Sequence, residues 1–283
     1  LSMNIVSFLY DFKSLYGVFA NGMVRPASPK LIAQYSTLYD LIFAGDVDYL
    51  RDKTLLSAPI PIENIKFLEP ILNSGKVICI GLNYSKLHPV DGVVPPNPEN
   101  MILFGKERDT LVAHKDVLKI PCDEPALSFD YEGEIAAVIG KTARNVTRKE
   151  ALDYVLGYTA FNDGSVREWQ KHSIYAGKNF ANSSAWGPWI TTTDALRSIE
   201  ELHLSVALNG NVVQSAYGSE MIFSVAEQIS YISSLFCLQP GDIIATGSPD
   251  GTGASKTPKR FLKIGDCLSI TVSGIGTLEN ACT

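Results

Sequence analysis

Three carboxylates stand at alternate positions in SFDYEGEIAAVIGK, residues 128–141: Asp130, Glu132 and Glu134. The segment that follows, 135–140, is apolar and reads as a buried strand. Alternate strand residues project to one face, with Cα atoms about 6.6 to 7 Å apart, so Glu132 and Glu134 can converge on one ion. A third oxygen donor has to come from elsewhere. Asp163 is the best candidate, because it ends the strand-like GYTAFND after a helical crossover that would bring the two strand ends together. Three carboxylates with no His or Cys nearby favour a hard divalent ion, Mg²⁺ or Mn²⁺, with positions open to water or substrate. The same spacing also fits the solvated face of an edge strand. It fits a retaining glycosidase pair too, with carboxyl groups about 5 to 5.5 Å apart, although no aromatic sugar platform is identifiable.

Among the histidines, His88 is the plausible general base. Asp91 follows three residues later in the proline-rich loop SKLHPVDGVVPPNPEN, and a carboxylate beside an imidazole raises its basicity and fixes its tautomer. His114 in a polar turn and His203 on an exposed strand face read as structural, and His172 as a surface residue. TGSPDGTGASKT fails as a phosphate loop, because Ala-Ser separates Gly253 from Lys256 and no helical pattern follows. It reads as a surface turn whose amides could nest an anion such as a substrate carboxylate.

The elements that must position these groups are legible as a mixed α+β chain. NIVSFLYDFKSLYGVFANGMVRPA predicts short strands with a hairpin at Asn21-Gly22, and helical patterning starts at Ser28-Pro29. Prolines in SAPIPIENIKFLEPI mark a boundary, giving a small β-rich unit over 1–69 and a larger one over 70–283. KVICIGLNY is a buried strand that delivers the proline-rich loop, which is either a lid or a connector. Thr147 and Glu150 form a capping-box pattern that predicts a helix over TRKEALDYVLGY. The last hundred residues repeat a strand rhythm, with a second Asn-Gly turn and one helix over MIFSVAEQISYISSLF.

Bulk properties narrow the partners. The chain has 283 residues, 46% hydrophobic and 19% charged, with a net charge of −6 and no basic-aromatic cluster, which argues against nucleic acid. No apolar run approaches the roughly 20 residues of a membrane helix, so a soluble protein without a membrane partner is expected. The start lacks a secretory signal pattern, and Leu1-Ser2 ahead of Met3 reads as left over from expression. Five scattered cysteines without a CxxC read as reduced, mostly buried thiols of a cytosolic protein.

Taken together, KVICIGLNY, FDYEGEIAAVIGKTARNVTRKEALDYVLGYTAFNDGSVREWQ, GKNF, GPWI, LNGNVVQ, SEMIFSVAEQISYIS, LQPGDIIATGSPDGTG and FLKIGDCLSITVSGIGTLEN resemble, in order and spacing, the fumarylacetoacetate hydrolase superfamily. The resemblance spans essentially the whole chain. It implies a C-terminal mixed β-roll or β-sandwich domain, usually dimeric, with one Mg²⁺ or Mn²⁺ per site. It places the metal carboxylates on Glu132, Glu134 and Asp163, and the site lysine on Lys178. Thr246 matches a threonine that holds a substrate carboxylate, with Gly247 beside it. Arg167 and Gln170 match polar residues near the metal, and Lys106 matches the lysine of F-x-K. The substrate class implied is a small 2-oxo or 2,4-dioxo acid, acted on through a metal-stabilised enolate. C–C cleavage (acylpyruvate hydrolysis or β-keto acid decarboxylation) is the leading expectation and tautomerisation its rival. A cytoplasmic or mitochondrial setting is compatible. Where the family writes N-Y-x-x-H-x-x-E, this chain has NYSKLHPVD: Leu87 stands at the histidine position, and His88 with Asp91 keeps the spacing one residue late.

Overall fold

In the computed structural model, residues 3–283 are described; Leu1 and Ser2, read above as left over from expression, lie outside them. The strand Gly133–Ile139 is fully buried and central. It pairs antiparallel with Val155–Asn162 on one side and Ile243–Ala245 on the other. Burial on both faces explains why the sequence there is a continuous apolar run rather than an alternating one. Ile135, Ala137 and Ile139 pack with Leu204, Val206 and Ile270, while Ala136 and Val138 pack with Phe161, Trp186 and the N-terminal Ile5 and Ile42. Gly133 lets the second layer approach, since a Cβ there would lie 2.2 Å from Val206 Cγ2.

The large sheet runs, neighbour by neighbour, through Ile60–Pro61, Met23–Pro26, Lys13–Ala20, Asn4–Tyr10, Ser184–Thr192, Val155–Asn162, Gly133–Ile139, Ile243–Ala245, Val77–Gly81 and Ile102–Gly105. The strands of the 1–69 region therefore join the sheet that carries the carboxylates, through Asn4–Tyr10 against Ser184–Thr192. A four-stranded antiparallel sheet, Asn211–Tyr217, His203–Leu208, Cys267–Val272 and Gly276–Ala281, packs over the central strands. This is the mixed, mostly β, α+β architecture expected. Among the described residues no helix is long and apolar enough to cross a membrane.

Both Asn-Gly pairs form their hairpins with left-handed backbone, at φ 53° and 75° for Asn21 and Gly22 and 51° and 81° for Asn209 and Gly210. Ser28 caps the helix Pro29–Gln34, and Ser224 with Glu227 forms a full capping box on Val225–Leu235. The helix expected after Thr147 does not form. Thr147 Oγ1 does donate to Glu150 (2.6 Å), but only a 3₁₀ turn, Ala151–Tyr154, follows before the strand Val155–Asn162 begins. The two carboxylate-bearing strands are thus antiparallel neighbours without a helical crossover. All five cysteines are free; Cys79 and Cys282 are buried, Cys237 and Cys267 half-buried, and Cys122 is exposed.

Candidate metal centre and active site

Strand register assembles the carboxylates. Gly133 pairs with Asn162, and the Asp163 N–H donates to the Glu132 carbonyl (2.9 Å), so Asp163 emerges beside Glu132. Ligand oxygens of Glu132, Glu134 and Asp163 all lie within 4.8 Å of one another. Glu134 and Asp163 are buried. The edge-strand reading is therefore excluded, and the triad converges as the spacing predicts.

Two ammonium groups attend it. Lys178 Nζ donates to Glu132 Oε2 (2.7 Å) and Asp163 Oδ2 (2.6 Å). Burial acts to lower its pKa, but Asp163 and Glu132 outweigh that and hold the proton on Nζ. Lys106 Nζ stands 2.7 Å from Asp163 Oδ1 without hydrogen-bond alignment, and donates to the carbonyls of Gly164 and Lys178. Burial would raise Glu132, yet Lys178 and Arg167 keep it well below the usual carboxylate range. Glu134 is pushed well above that range, by burial and then by the charges of Asp163 and Glu132. This crowding of acids tests whether a cation fits. The donors are all oxygens, and the resident lysines leave Glu134 repelled by its neighbours; a hard divalent ion such as Mg²⁺ or Mn²⁺ matches both features.

Asp130, the first of the three alternating acids, is elsewhere engaged. Its oxygens accept from the amides of Tyr131 (2.9 Å), Gly253 (2.8 Å) and Ala254 (2.9 Å), and from Arg167 Nε (2.8 Å). The amides of the glycine-rich turn do nest an anion, but it is the protein's own Asp130 and not a substrate carboxylate. That corrects the expectation for TGSPDGTGASKT. Asp130 in turn orients Arg167, whose Nη1 donates to Glu132 Oε1 (2.6 Å) and more distantly to Gln170 Oε1 (3.4 Å). Arg167 Nη2 is buried with no acceptor.

A cavity of about 410 Å³ opens onto this corner, lined by Glu132, Arg167, Gln170 and Lys178 together with Lys86, Asp250 and the apolar Ile80, Ile102 and Phe104. Thr246, Gly247 and Lys106 do not line it. The Thr246 hydroxyl donates to the Ile135 carbonyl (2.7 Å), and the Gly247 amide donates to Glu134 Oε2 (3.0 Å). Like Glu134 and Asp163, which do not line the cavity either, these residues stand behind its wall, engaged with the triad and its strands.

The lid pair also differs from expectation. His88 Nδ1 stands 2.5 Å from Asp250 Oδ2, and that oxygen also accepts from the amides of Leu87 (3.0 Å) and His88 (3.2 Å). Asp91 pairs instead with Lys259 (2.5 Å). The chain turns between Val90 and Val93, with Asp91 in left-handed backbone (φ 50°), and this carries its carboxylate away from His88. None of the four histidines lines the cavity. His114 does sit in the polar turn expected, Ala113 to Asp116, but its side chain is buried there: it accepts from the Glu279 amide (3.0 Å), and burial followed by Lys115 lowers its pKa to about 4. Sequence reasoning missed Asp250 and Lys86 as site residues. Asp250 sits in the glycine-rich stretch, whose sequence draws attention to its turn and backbone amides rather than to this side chain, and Lys86 stands beside His88.

With this geometry in view, the comparisons agree. Residues 76–283 match the family described as fumarylacetoacetate (FAA) hydrolase C-terminal. The chain is 37% identical over 239 residues to oxaloacetate tautomerase YisK of Bacillus subtilis, covering 83% of this chain and 75% of that protein. Among solved structures, a fumarylacetoacetate hydrolase from psychrophilic Exiguobacterium antarcticum superposes with a TM-score of 0.86 at 29% identity, covering 99% of both chains. Maleylpyruvate hydrolase from Sphingobium sp. SYK-6, in complex with manganese(II) ion and pyruvate, gives a TM-score of 0.82 at 25% identity, again over 99% of each chain. The chain belongs to the fumarylacetoacetate hydrolase family, a family of enzymes whose relatives here include both tautomerases and hydrolases.

Proposed function

We propose that this protein is a divalent-metal-dependent enzyme that interconverts the enol and keto forms of a 2-oxo or 2,4-dioxo carboxylic acid of the oxaloacetate class. The observation that supports this most is the distribution of groups around the cavity. Glu132, the member of the carboxylate triad that reaches the cavity, and Lys178 line it, with Glu134 and Asp163 clustered behind Glu132, while no histidine lines it. Tautomerisation needs proton transfer at a stabilised enolate, whereas hydrolysis needs an activated water as well. The similarity to an oxaloacetate tautomerase supports the same choice.

Glu132, Glu134 and Asp163 would hold a Mg²⁺ or Mn²⁺ ion, which when bound would supply Lewis-acid polarisation of the 2-oxo group and charge neutralisation. Lys178 keeps its proton on Nζ and presents a fixed positive charge to the developing enolate oxygen, in a site where water competes little. Arg167 Nη2, buried without an acceptor, and Gln170 orient the substrate's carboxylate. Asp130 and the amides of Gly253 and Ala254 act behind Arg167, holding its plane.

A second reading, C–C cleavage, has one observation in its favour: the His88–Asp250 pair is a base with an orienting carboxylate, held on a loop beside the cavity. The manganese and pyruvate complex of the Sphingobium hydrolase supports it. Following the enol absorbance of oxaloacetate with added Mn²⁺ or with chelator, and assaying pyruvate, separates the two. Metal-dependent loss of enol without pyruvate is the expected result; stoichiometric pyruvate would replace the proposal with cleavage.

A further inference from the structure

The cavity is lined by four basic residues, Lys86, Arg167, Lys171 and Lys178, and three acidic ones, Asp91, Glu132 and Asp250. Each acid already has a cationic or imidazole partner: Asp91 has Lys259, Glu132 has Arg167 and Lys178, and Asp250 has His88. Three of the cations are likewise matched, Arg167 with Asp130 and Glu132, Lys171 with Glu168, and Lys178 with Glu132 and Asp163. Among the described residues, Lys86 alone of the cavity's cations makes no ion pair. Its Nζ donates only to two carbonyl oxygens, Ser248 (2.8 Å) and Pro249 (3.1 Å). A half-buried ammonium given only neutral acceptors retains a preference for an anion.

We propose that Lys86 determines specificity by binding the second, distal carboxylate of a dicarboxylic oxo acid whose 2-oxo-carboxylate end sits at the metal corner. This rests on the function proposed above and narrows its substrate class to diacids. Three further features agree. Lys86 follows Asn83, whose side chain is pinned by Thr246 (2.7 Å) and Phe223 (3.0 Å) carbonyls, so the base of the loop is fixed relative to the triad's strands. Its two carbonyl partners belong to the segment that follows Gly247, whose amide holds Glu134. The ammonium is therefore built into the frame that positions the carboxylates, while still facing the cavity. Apolar Ile80, Ile102 and Phe104 supply the remaining wall, leaving an acid's second charge no other unmatched cation to meet.

Oxaloacetate and acetylpyruvate make a near-isosteric probe pair, because one ends in a carboxylate where the other ends in an acetyl group. Steady-state kinetics with Mn²⁺ are measured on both acids for the wild type, Lys86→Met, Lys86→Arg and a control, Lys171→Met. Mn²⁺ affinity is followed by electron paramagnetic resonance and folding by thermal melting. For Lys86→Met, kcat/KM is expected to fall on the order of 10- to 100-fold more for oxaloacetate than for acetylpyruvate, chiefly through KM. Lys86→Arg should recover part of the difference, and Lys171→Met should show no such discrimination. An equal loss on both acids, or no loss, with Mn²⁺ binding intact, would overturn the proposal and leave Lys86 as a clamp on the Ser248–Pro249 carbonyls. A wild type that binds Mn²⁺ but shows no preference for oxaloacetate would overturn it too. A wild type that neither binds Mn²⁺ nor turns over either acid would overturn the underlying function, and this inference with it.

Discussion

The carboxylate corner and the His88 loop stand side by side, yet they are built by opposite means. At the corner, backbone register places the groups: Asp163 follows a strand paired residue by residue with the strand of Glu134, and each acid has fixed donors behind it. In the loop, side chains do the placing. His88 is held through one exposed pair and Asp91 through another, with side-chain exposures of 64% and 62%. Register in a sheet buried on both faces resists slippage, because a one-residue shift would turn every apolar side chain over. A proline-rich loop has no such constraint. The difference teaches that chemistry requiring fixed charges is sited on the sheet, and chemistry requiring variation is sited on the loop.

The sharpest way to break this contrast is at Glu134. Glu134→Ala is expected to abolish Mn²⁺ binding and lower turnover by at least about 10³-fold, an effect of roughly 4 kcal/mol on the barrier. Direct titration of Mn²⁺ beside the enol assay checks it; retained metal with full turnover would remove the triad from the reaction. Next comes Asp130→Ala, which leaves Arg167 Nε and three buried amides without their acceptor. Loss of one partner of a buried pair predicts destabilisation of about 3 to 5 kcal/mol, read by denaturant unfolding. Metal supply should have a comparable but smaller effect. Mn²⁺ at about 100 times its dissociation constant is expected to stabilise the wild type by about 2.7 kcal/mol and Glu134→Ala not at all, measured as a shift in thermal midpoint.

The smallest effect belongs to the loop. Asp250→Asn should cost at most about 1 kcal/mol, because its partner His88 is mostly exposed and water screens the pair. Its pH dependence sharpens the comparison. Burial alone would raise the Asp250 pKa, but the His88 hydrogen bond and the backbone amides depress it below the unfolded value. The stabilisation is therefore present above the unfolded carboxylate pKa and is lost as pH falls through the folded one. Wild-type and Asp250→Asn stabilities should converge on the acid side and diverge towards neutrality; parallel curves would show that the pair contributes nothing.

What the sequence revealed follows the same division. Alternation and the end of GYTAFND located Glu132, Glu134 and Asp163, because a strand converts spacing directly into direction. The turns at Asn21-Gly22 and Asn209-Gly210 were legible because few residues tolerate left-handed backbone. Thr147 and Glu150 misled. Their local bond forms, but five residues after Glu150 the chain enters a buried strand at Val155, and sheet pairing overrides a helix start that has little helix to follow. The partners of His88 and Asp130 were illegible for another reason. Asp250 lies 162 residues from His88, and Gly253 lies 123 from Asp130, so no periodicity links them.

The pairing of Asn4–Tyr10 with Ser184–Thr192 has a practical consequence for anyone trimming this protein. A fragment beginning near residue 70 would keep all the acids of the site, yet it would uncover the Ile190–Thr191 end of the strand Ser184–Thr192, where Asn4 and Ile5 pair, and leave the amides and carbonyls there bare. Such an edge recruits strands from other molecules. The opening seventy residues thus act as a sealant for the catalytic sheet, and an excised catalytic region would be expected to precipitate long before its chemistry could be tested.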